Sequence, residues 1–420
     1  MKKITNLKEA NKVLADYISP VGNKAPYTLD RILILMEFLG NPQDRLNVIH
    51  IAGTSGKTST SYYVAALLST TGKKVGLSVS PHVTDVRERV QINTDTLPET
   101  EFCAELDSFI TLIKDCPAKP TYFELLIAFA FWEFERQGVD YAVIEVGIGG
   151  LLDGTNVIKQ TGKICVITDI GYDHINVLGK TLPAIAAQKA GIIHNGNAVF
   201  SYQQDRAITK VIKDRCAEQS ADLHIIQPQN ISTDFAFLPL FQRHNFGLAH
   251  KVVSYILRRD NMPALTLEQQ LAGAHTLIPA RMEIFNLKDK TVILDGAHNY
   301  QKLHALIDSI KAQFTHQSIA VLVGFVGGSE FRLADNVREI LSIAESVIVT
   351  SFESSQDWQH KSVEPGEVVQ LFRKEDFHNI VIVDKPSQAL SVLLKQPEPL
   401  LLVAGSFYLL NDIRPLILKL

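Results

Sequence analysis

The chain has 420 residues, 46% hydrophobic and 20% charged. That is more than one hydrophobic core ordinarily serves and too apolar for extended disorder, so two domains of ordinary size are expected. A formal net charge of -4 gives no general attraction for nucleic acid or an acidic membrane, and neither is expected as a partner. Cys103, Cys116, Cys165 and Cys216 lie far apart with no C-x-x-C pair, which fits reduced thiols better than a disulfide framework or a zinc site.

Lys2 and Lys3 precede no apolar stretch, as a signal peptide would need, and no apolar run is long enough to span a bilayer. A cytoplasmic enzyme is the simplest class. From Leu46 onward, short β-branched runs alternate with amphipathic stretches, the sign of βα units around a parallel sheet. Strands are expected at Leu46–Ile51, Val75–Ser80, Tyr141–Val146, Ile164–Ile167 and Ala198–Ser201. Helices are expected at Thr58–Ser69, Thr121–Gln137 and Leu182–Ala190.

After Pro279 a second alternation begins, with strands at Thr291–Leu294, Ile319–Val323, Ser346–Ser351, Ile380–Val383 and Leu400–Val403, and a helix over Leu303–Phe314. The break between domains belongs near Pro279–Leu287. Two α/β domains in series leave a cleft, a usual place for ligands in such folds.

The most informative segment is Val48-Ile49-His50-Ile51-Ala52-Gly53-Thr54-Ser55-Gly56-Lys57-Thr58-Ser59-Thr60, a buried-strand pattern running into a Gly-rich turn and then a helix. Glycines let backbone N–H groups close on phosphate oxygens, and the helix N-terminus adds positive potential. Lys57 neutralises phosphate charge and Thr58 can reach magnesium. Only two residues separate Gly53 from Gly56, so the loop is a short variant of the Walker pattern; the alternative is a plain strand-to-helix turn.

Three further strand ends carry polar groups. Ser80-Pro81-His82 is followed by Arg87-Glu88-Arg89, where Pro81 can simply stop the strand and His82 reads first as a capping or surface histidine. Glu145 interrupts the apolar run Val143–Val146 and needs a partner, either magnesium beside ATP or a Lys or Arg elsewhere in the chain. His174, after Asp173, either completes a metal site or is structural.

Together these residues resemble the folylpolyglutamate synthase and dihydrofolate synthase family of the Mur ligase superfamily, over nearly the whole chain. The likeness runs from Leu29-Asp30-Arg31-Ile32 through the phosphate loop, Ser80-Pro81-His82, Thr121-Tyr122-Phe123-Glu124, Glu145 to Asn156, Asp173-His174 and Gln188-Lys189-Ala190-Gly191. It ends with Arg281 and Asp295-Gly296-Ala297-His298-Asn299.

The resemblance implies an α/β fold, with an N-terminal P-loop-type ATP-binding domain on a mostly parallel sheet (residues 1–283) and a smaller C-terminal Rossmann-like domain (284–420). It implies ATP contacts from Gly53, Thr54, Ser55, Gly56, Lys57, Thr58 and Ser59, and, from the interdomain side, from Asn245, Arg281, Asp295 and His298. Magnesium, as two ions, would be bound by Thr58, Ser80, Glu145 and His174. Lys189 matches the lysine this superfamily converts to a carbamate, N6-carboxylysine, which can ligate magnesium where an ammonium cannot. A lysine before Gly191 can equally complement the helix macrodipole.

Thr28, Leu29, Asp30 and Arg31, Thr121 to Glu124 and Leu152, Asp153 and Gly154 match pterin-binding segments, with Ser80 and His82 beside them. The implied catalytic set is Lys57, Glu145, His174 and Lys189. The implied substrates are dihydropteroate or a folate with L-glutamate, and a monomer is expected.

The chain departs from the family pattern at several places. Ser55 and Thr58 replace Asn and Gly, which gives the Gly-Lys-Thr of the cell-wall Mur ligases. Leu151 replaces an Arg and Gln188 a Glu, and an acidic, lysine-containing motif is absent from Gly324-Phe325-Val326-Gly327-Gly328. These changes bear on substrate identity rather than on ATP chemistry.

The activity expected is therefore acyl-phosphate formation on a carboxylate and amide formation with glutamate. A Mur-type ligase for another carboxylate, a P-loop kinase or NTPase, and a ligase-like binding protein without turnover are the alternatives.

Overall fold

The computed structural model describes residues 3–18, 28–227, 232–327, 333–354 and 360–420. Met1, Lys2 and Gly328 lie outside the described residues. The chain divides into two compact units, Met1–Leu238 with Gln242–Thr276, and Pro239–Phe241 with Leu277–Leu420. Among the described residues no helix is long and apolar enough to cross a membrane.

Among the described residues the first unit is built on the strands β1 Val48–Ala52, β2 Val75–Ser78, β3 Gln91–Ile92, β4 Asp95–Thr96, β5 Tyr141–Glu145, β6 Ile164–Ile167, β7 Ala198–Tyr202 and β8 Asp222–Ile226. Their order is β4-β3-β2-β5-β1-β6-β7-β8. All neighbours pair parallel except at one edge, where β3 pairs antiparallel with both β2 and β4. All five residues of β1 are buried, as expected of a parallel strand covered on both faces.

The register positions the chemistry. Ile51 pairs with Glu145 on β5, and Ala52 with Ile167 on β6. The turn after β1 therefore emerges between the ends of β5 and β6, a topological switch point where such sheets bind ligands. The helix that follows, Lys57–Ser69, buries every residue from Thr58 to Leu68, so hydrophobic periodicity barely marks it. The helix Tyr122–Arg136 starts from a capping box, with the Thr121 hydroxyl accepting from the Glu124 amide and the Glu124 carboxylate accepting from the Thr121 amide. Such caps stabilise a helix by about 1 kcal/mol. This helix packs Phe129 against Phe102 and Phe109, ring centroids 5.7 and 5.3 Å apart.

The second unit has β9 Glu283–Leu287, β10 Lys290–Leu294, β11 Ile319–Val323, β12 Ala344–Val349, β13 Glu353–Ser354, β14 His360–Lys361, β15 Ile380–Ile382 and β16 Leu400–Ala404. Its main sheet has the order β15-β12-β11-β16-β10-β9, and β13 and β14 form a separate hairpin. Among the described residues only β9 is antiparallel in the main sheet, paired with β10. Glu283–Leu287 is thus a strand of the second unit, not the break between units. The break falls earlier, at Thr276–Leu277, because the β9–β10 ladder ties Glu283–Leu287 into the second sheet.

Candidate functional site

The phosphate loop is shaped by close approach. Gly53 has φ +155 and an ideal Cβ there would lie 1.8 Å from Thr168 Oγ1; Gly56 has φ +87 and its Cβ would lie 2.4 Å from Asn245 Oδ1. Neither position admits a side chain, and the second places Asn245 against the loop. The amides of Thr54 and Ser55 donate to the Asp169 carbonyl at 2.8 and 3.1 Å, and the Thr54 hydroxyl donates to the Gly171 carbonyl at 3.1 Å.

Those two amides therefore fix the loop to the end of β6 and are not among the backbone N–H groups left to close on a phosphate. The helix start takes over that role. Gly56 caps Lys57–Ser69 without any side-chain hydrogen bond, leaving the first-turn N–H groups and the positive helix end for an anion. Ser55 Oγ is buried with no hydrogen-bond partner among the described residues, an orphan that suits a phosphate oxygen.

Two lysines converge on one carbonyl. Lys57 Nζ donates to Gly53 O at 3.1 Å and Lys189 Nζ donates to the same oxygen at 2.8 Å. Lys189 is 3% exposed. It also lies in the last turn of the helix Leu182–Ala190, the position from which a cation complements the macrodipole. The Thr58 hydroxyl donates to Glu145 Oε1 at 2.9 Å and the Ser80 amide to Oε2 at 3.3 Å. Hydroxyl and carboxylate oxygens at one point are the donor set of a hard cation such as magnesium.

His174 stands on the loop after β6 at φ +45, caps the short helix Ile175–Leu178 and is half-exposed, 3.8 Å from Asp173. Among the described residues no three His, Cys, Asp or Glu side chains gather as a metal cluster.

The segments matched to pterin binding come together in part. Arg31 makes a two-pronged ion pair with Glu124, both contacts at 3.1 Å, which joins the helix Asp30–Phe38 to the helix begun by Thr121. Thr28 and Leu29 are half-buried and Asp30 is exposed, while Tyr122 is buried. The Phe123 ring lies 2.7 Å from where a Cβ on Gly147 would be, and 3.5 Å, ordinary contact, from one on Gly154, so the turn after β5 rests on that ring.

Asp153 accepts from the amides of Ile148 and Thr155 and from the Thr155 hydroxyl, at 2.8, 3.0 and 2.6 Å. Burial pushes its pKa up against these donors. Leu151 and Leu152 are exposed. His82 is neither a cap nor a surface residue: it is 7% exposed, its Nδ1 accepts from Arg89 Nε at 3.2 Å, and burial and then Arg89 drive its pKa well down. A neutral imidazole results.

In the second unit, Asp295 is buried and accepts from the amides of Met282 and Ala297 at 2.7 and 2.8 Å. Burial raises its pKa to about 6, opposed chiefly by Arg281. The Arg281 guanidinium stacks 4.0 Å over the Phe407 ring. His298 Nδ1 donates to Gly296 O at 2.8 Å, and Lys302 Nζ lies 3.0 Å from His298 Nε2.

Residues 51–278 match the Mur ligase middle domain and residues 280–407 the Mur ligase glutamate ligase domain. The dihydrofolate synthetase of Saccharomyces cerevisiae is 30% identical over 92% of this chain and 96% of its own. The chain belongs to the folylpolyglutamate synthase and dihydrofolate synthase family of Mur ligases. It is an ATP-dependent ligase. The dihydrofolate synthase/folylpolyglutamate synthase of Bacillus subtilis is 26% identical over 92% of this ligase and 94% of the relative. The folylpolyglutamate synthase of Mycobacterium tuberculosis, solved with ADP and AMPPCP, shares the fold at TM-score 0.83 and 23% identity, covering 98% of each chain.

Reading the sequence of this ligase misses the supports of its site. Asp169 holds the phosphate loop through its carbonyl, and its carboxylate pairs with His244 Nε2 at 3.1 Å; His244 in turn stacks on Tyr202 at 4.0 Å. Backbone acceptors leave no mark on residue type, and His244 sits in a helix with no pattern to single it out. His50 and Thr155, joined at 2.8 Å, did carry a signal, a histidine amid the apolar residues of β1.

Proposed function

We propose that this ligase joins L-glutamate to dihydropteroate, to a folate, or to both, through an acyl phosphate. The observation that carries the reading is the convergence of Lys57 and Lys189 on Gly53 O beside the uncapped start of the helix Lys57–Ser69. Lys57 and the helix start supply positive charge where the transferred phosphate of ATP would sit, and Lys189, as its carbamate, would add a metal-ligating carboxylate beside them.

An acceptor carboxylate oxygen attacks the γ-phosphorus and ADP leaves. Lys57 and the helix-start amides hold the phosphoryl oxygens as charge develops on them. The amine of glutamate then adds to the acyl carbon, and the tetrahedral adduct expels inorganic phosphate and a proton to leave the amide. Thr58, Ser80, Glu145 and His174 would hold magnesium, as two ions, which supplies further neutralisation of phosphate charge. Lys189 would carry a carbamate, formed when its neutral amine adds to carbon dioxide and loses a proton. Arg281, Asp295, Asn245 and His298 would serve ATP, and Arg31, Phe123, Glu124 and Asp153 the acceptor. A monomer in the cytoplasm completes the reading.

Exposed Leu151, an apolar side chain where an Arg is usual, favours a second reading, a Mur-type ligase for another carboxylate. Purified protein with magnesium-ATP and glutamate, given dihydropteroate, tetrahydrofolate or neither, separates the two by product mass. Gain of one glutamyl unit supports the first reading; ADP release without it transfers the case to the second or to a kinase.

A further inference from the structure

The middle of β1 holds a residue that core packing does not explain. His50 lies between Ile49 and Ile51 and is fully buried, yet its Nδ1 has no hydrogen-bond partner among the described residues. Its Nε2 is 2.8 Å from Thr155 Oγ1, and that hydroxyl is 2.6 Å from Asp153 Oδ1. Asp153 closes the turn between β5 and residue 155 on itself, through the amides of Ile148 and Thr155 and the backbone of Gly147. The same turn rests on Phe123.

We propose that His50 is a positioning residue for the acceptor-binding turn, acting through the Thr155 hydroxyl on Asp153. This rests on the reading that Phe123 and Leu152–Gly154 hold the acceptor. The proton directions are set by which atoms can donate. Among the described residues every other group aimed at Asp153 is a backbone donor, so its carboxylate is the acceptor and the single Thr155 hydroxyl proton goes to Oδ1. Thr155 Oγ1 then has only a lone pair for His50, which must donate through Nε2–H. His50 is thereby fixed as the neutral Nε2–H tautomer with a bare Nδ1. Burial first, and then the charge of Lys163, oppose protonation of His50 and favour the same neutral state.

With the imidazole donor in place, the Thr155 hydroxyl cannot rotate away from Asp153, and the turn keeps its ring of hydrogen bonds. Without it the turn loosens while the phosphate loop, held separately by Thr168 and Asp169, does not. The strand that delivers the phosphate loop therefore also sets the acceptor turn, two jobs from one buried strand.

The test uses the full chain with His50→Leu, Thr155→Val, their double variant, and the conservative His50→Gln and Thr155→Ser. His50→Leu and Thr155→Val should each raise KM for the pterin acceptor about tenfold with KM for ATP within about twofold, the double variant adding little to either single one. The conservative pair, which keep an N–H or O–H donor, should stay near wild type. Side-chain nitrogen NMR should show a neutral Nε2–H histidine that His50→Gln removes. Hydrogen exchange should quicken at Ile148 and Thr155 in His50→Leu and stay unchanged over Gly56–Thr60.

An Nδ1–H tautomer, equal rises in both KM values, or a lowered melting temperature with unchanged exchange at Ile148 and Thr155 overturns the proposal. If wild type glutamylates no pterin, the acceptor reading fails by itself, and the tautomer and exchange measurements still decide the role of His50.

Discussion

Lys189 donates its ammonium to the carbonyl of Gly53 at 2.8 Å, across 136 residues of sequence. The contact buries a cation at the root of the phosphate loop, where a carbamate would place two oxygens. Lys189→Ala should lower kcat by about 100-fold or more, the scale of removing one charge-organising group from an active site. Lys189→Arg should be no better, since guanidinium cannot carbamylate. Added acetate should restore part of the rate, and protein equilibrated with carbon-13 dioxide should show a carbamate resonance absent from Lys189→Ala. Full activity of Lys189→Ala would remove the lysine from the mechanism.

The hydroxyl of Thr58 and the carboxylate of Glu145, 2.9 Å apart, make a joint prediction. Thr58→Val and Glu145→Gln should each raise the magnesium concentration for half-maximal rate by at least about 10-fold, the lower end of what disturbed metal sites lose. Thr58→Ser should keep most of the affinity because it keeps the oxygen. Titration of activity with magnesium at saturating ATP reads this; an unchanged midpoint in Glu145→Gln would sever the pair from the metal.

Short apolar runs bounded by turns were the most legible parts of the sequence. Ile164–Ile167, Leu182–Ala190 and Ile319–Val323 coincide with the observed elements to the residue, because such runs leave few other solutions. The strand Glu283–Leu287 was less legible: Ile284 and Phe285 are adjacent, so Glu-Ile-Phe-Asn-Leu breaks the alternation of a half-buried strand, and the buried end is Glu283 while Ile284 is exposed; close behind Pro279, a short half-polar run reads equally well as connecting chain. At the site, glycines and charged residues were visible as types. Their contacts were not. Thr54 and Ser55 spend their amides on Asp169, and His82 is buried on Arg89, because partners elsewhere in the chain decide such contacts.

Arg414 and Glu283 form a buried ion pair, both contacts at 2.8 Å with side chains 9% and 4% exposed. Arg414→Met strands the Glu283 carboxylate and should cost the second unit about 3–5 kcal/mol, whereas adding Glu283→Leu should recover much of the loss. Urea unfolding of the three variants checks this. A double variant as unstable as Arg414→Met would mean that packing, not charge, is lost.

Asp295 gives the stability of the second unit a pH dependence. Burial raises its pKa from the ordinary 3.8 to about 6, so between those values the folded chain keeps a proton that the unfolded chain has released. Stability from this group is therefore fully present below the unfolded pKa and is lost as pH rises through the folded one. Two pKa units correspond to about 3 kcal/mol. Asp295→Asn removes the titration, so its melting temperature relative to wild type should climb between pH 4 and pH 7 and level off above. Catalytic rate should fall in the same variant, because a neutral carboxamide cannot replace the charge beside Arg281. Wild type thus keeps a carboxylate that weakens its fold at neutral pH, a pattern that marks function over packing. Parallel pH profiles for the two proteins would show that Asp295 titrates alike folded and unfolded, and would withdraw that inference.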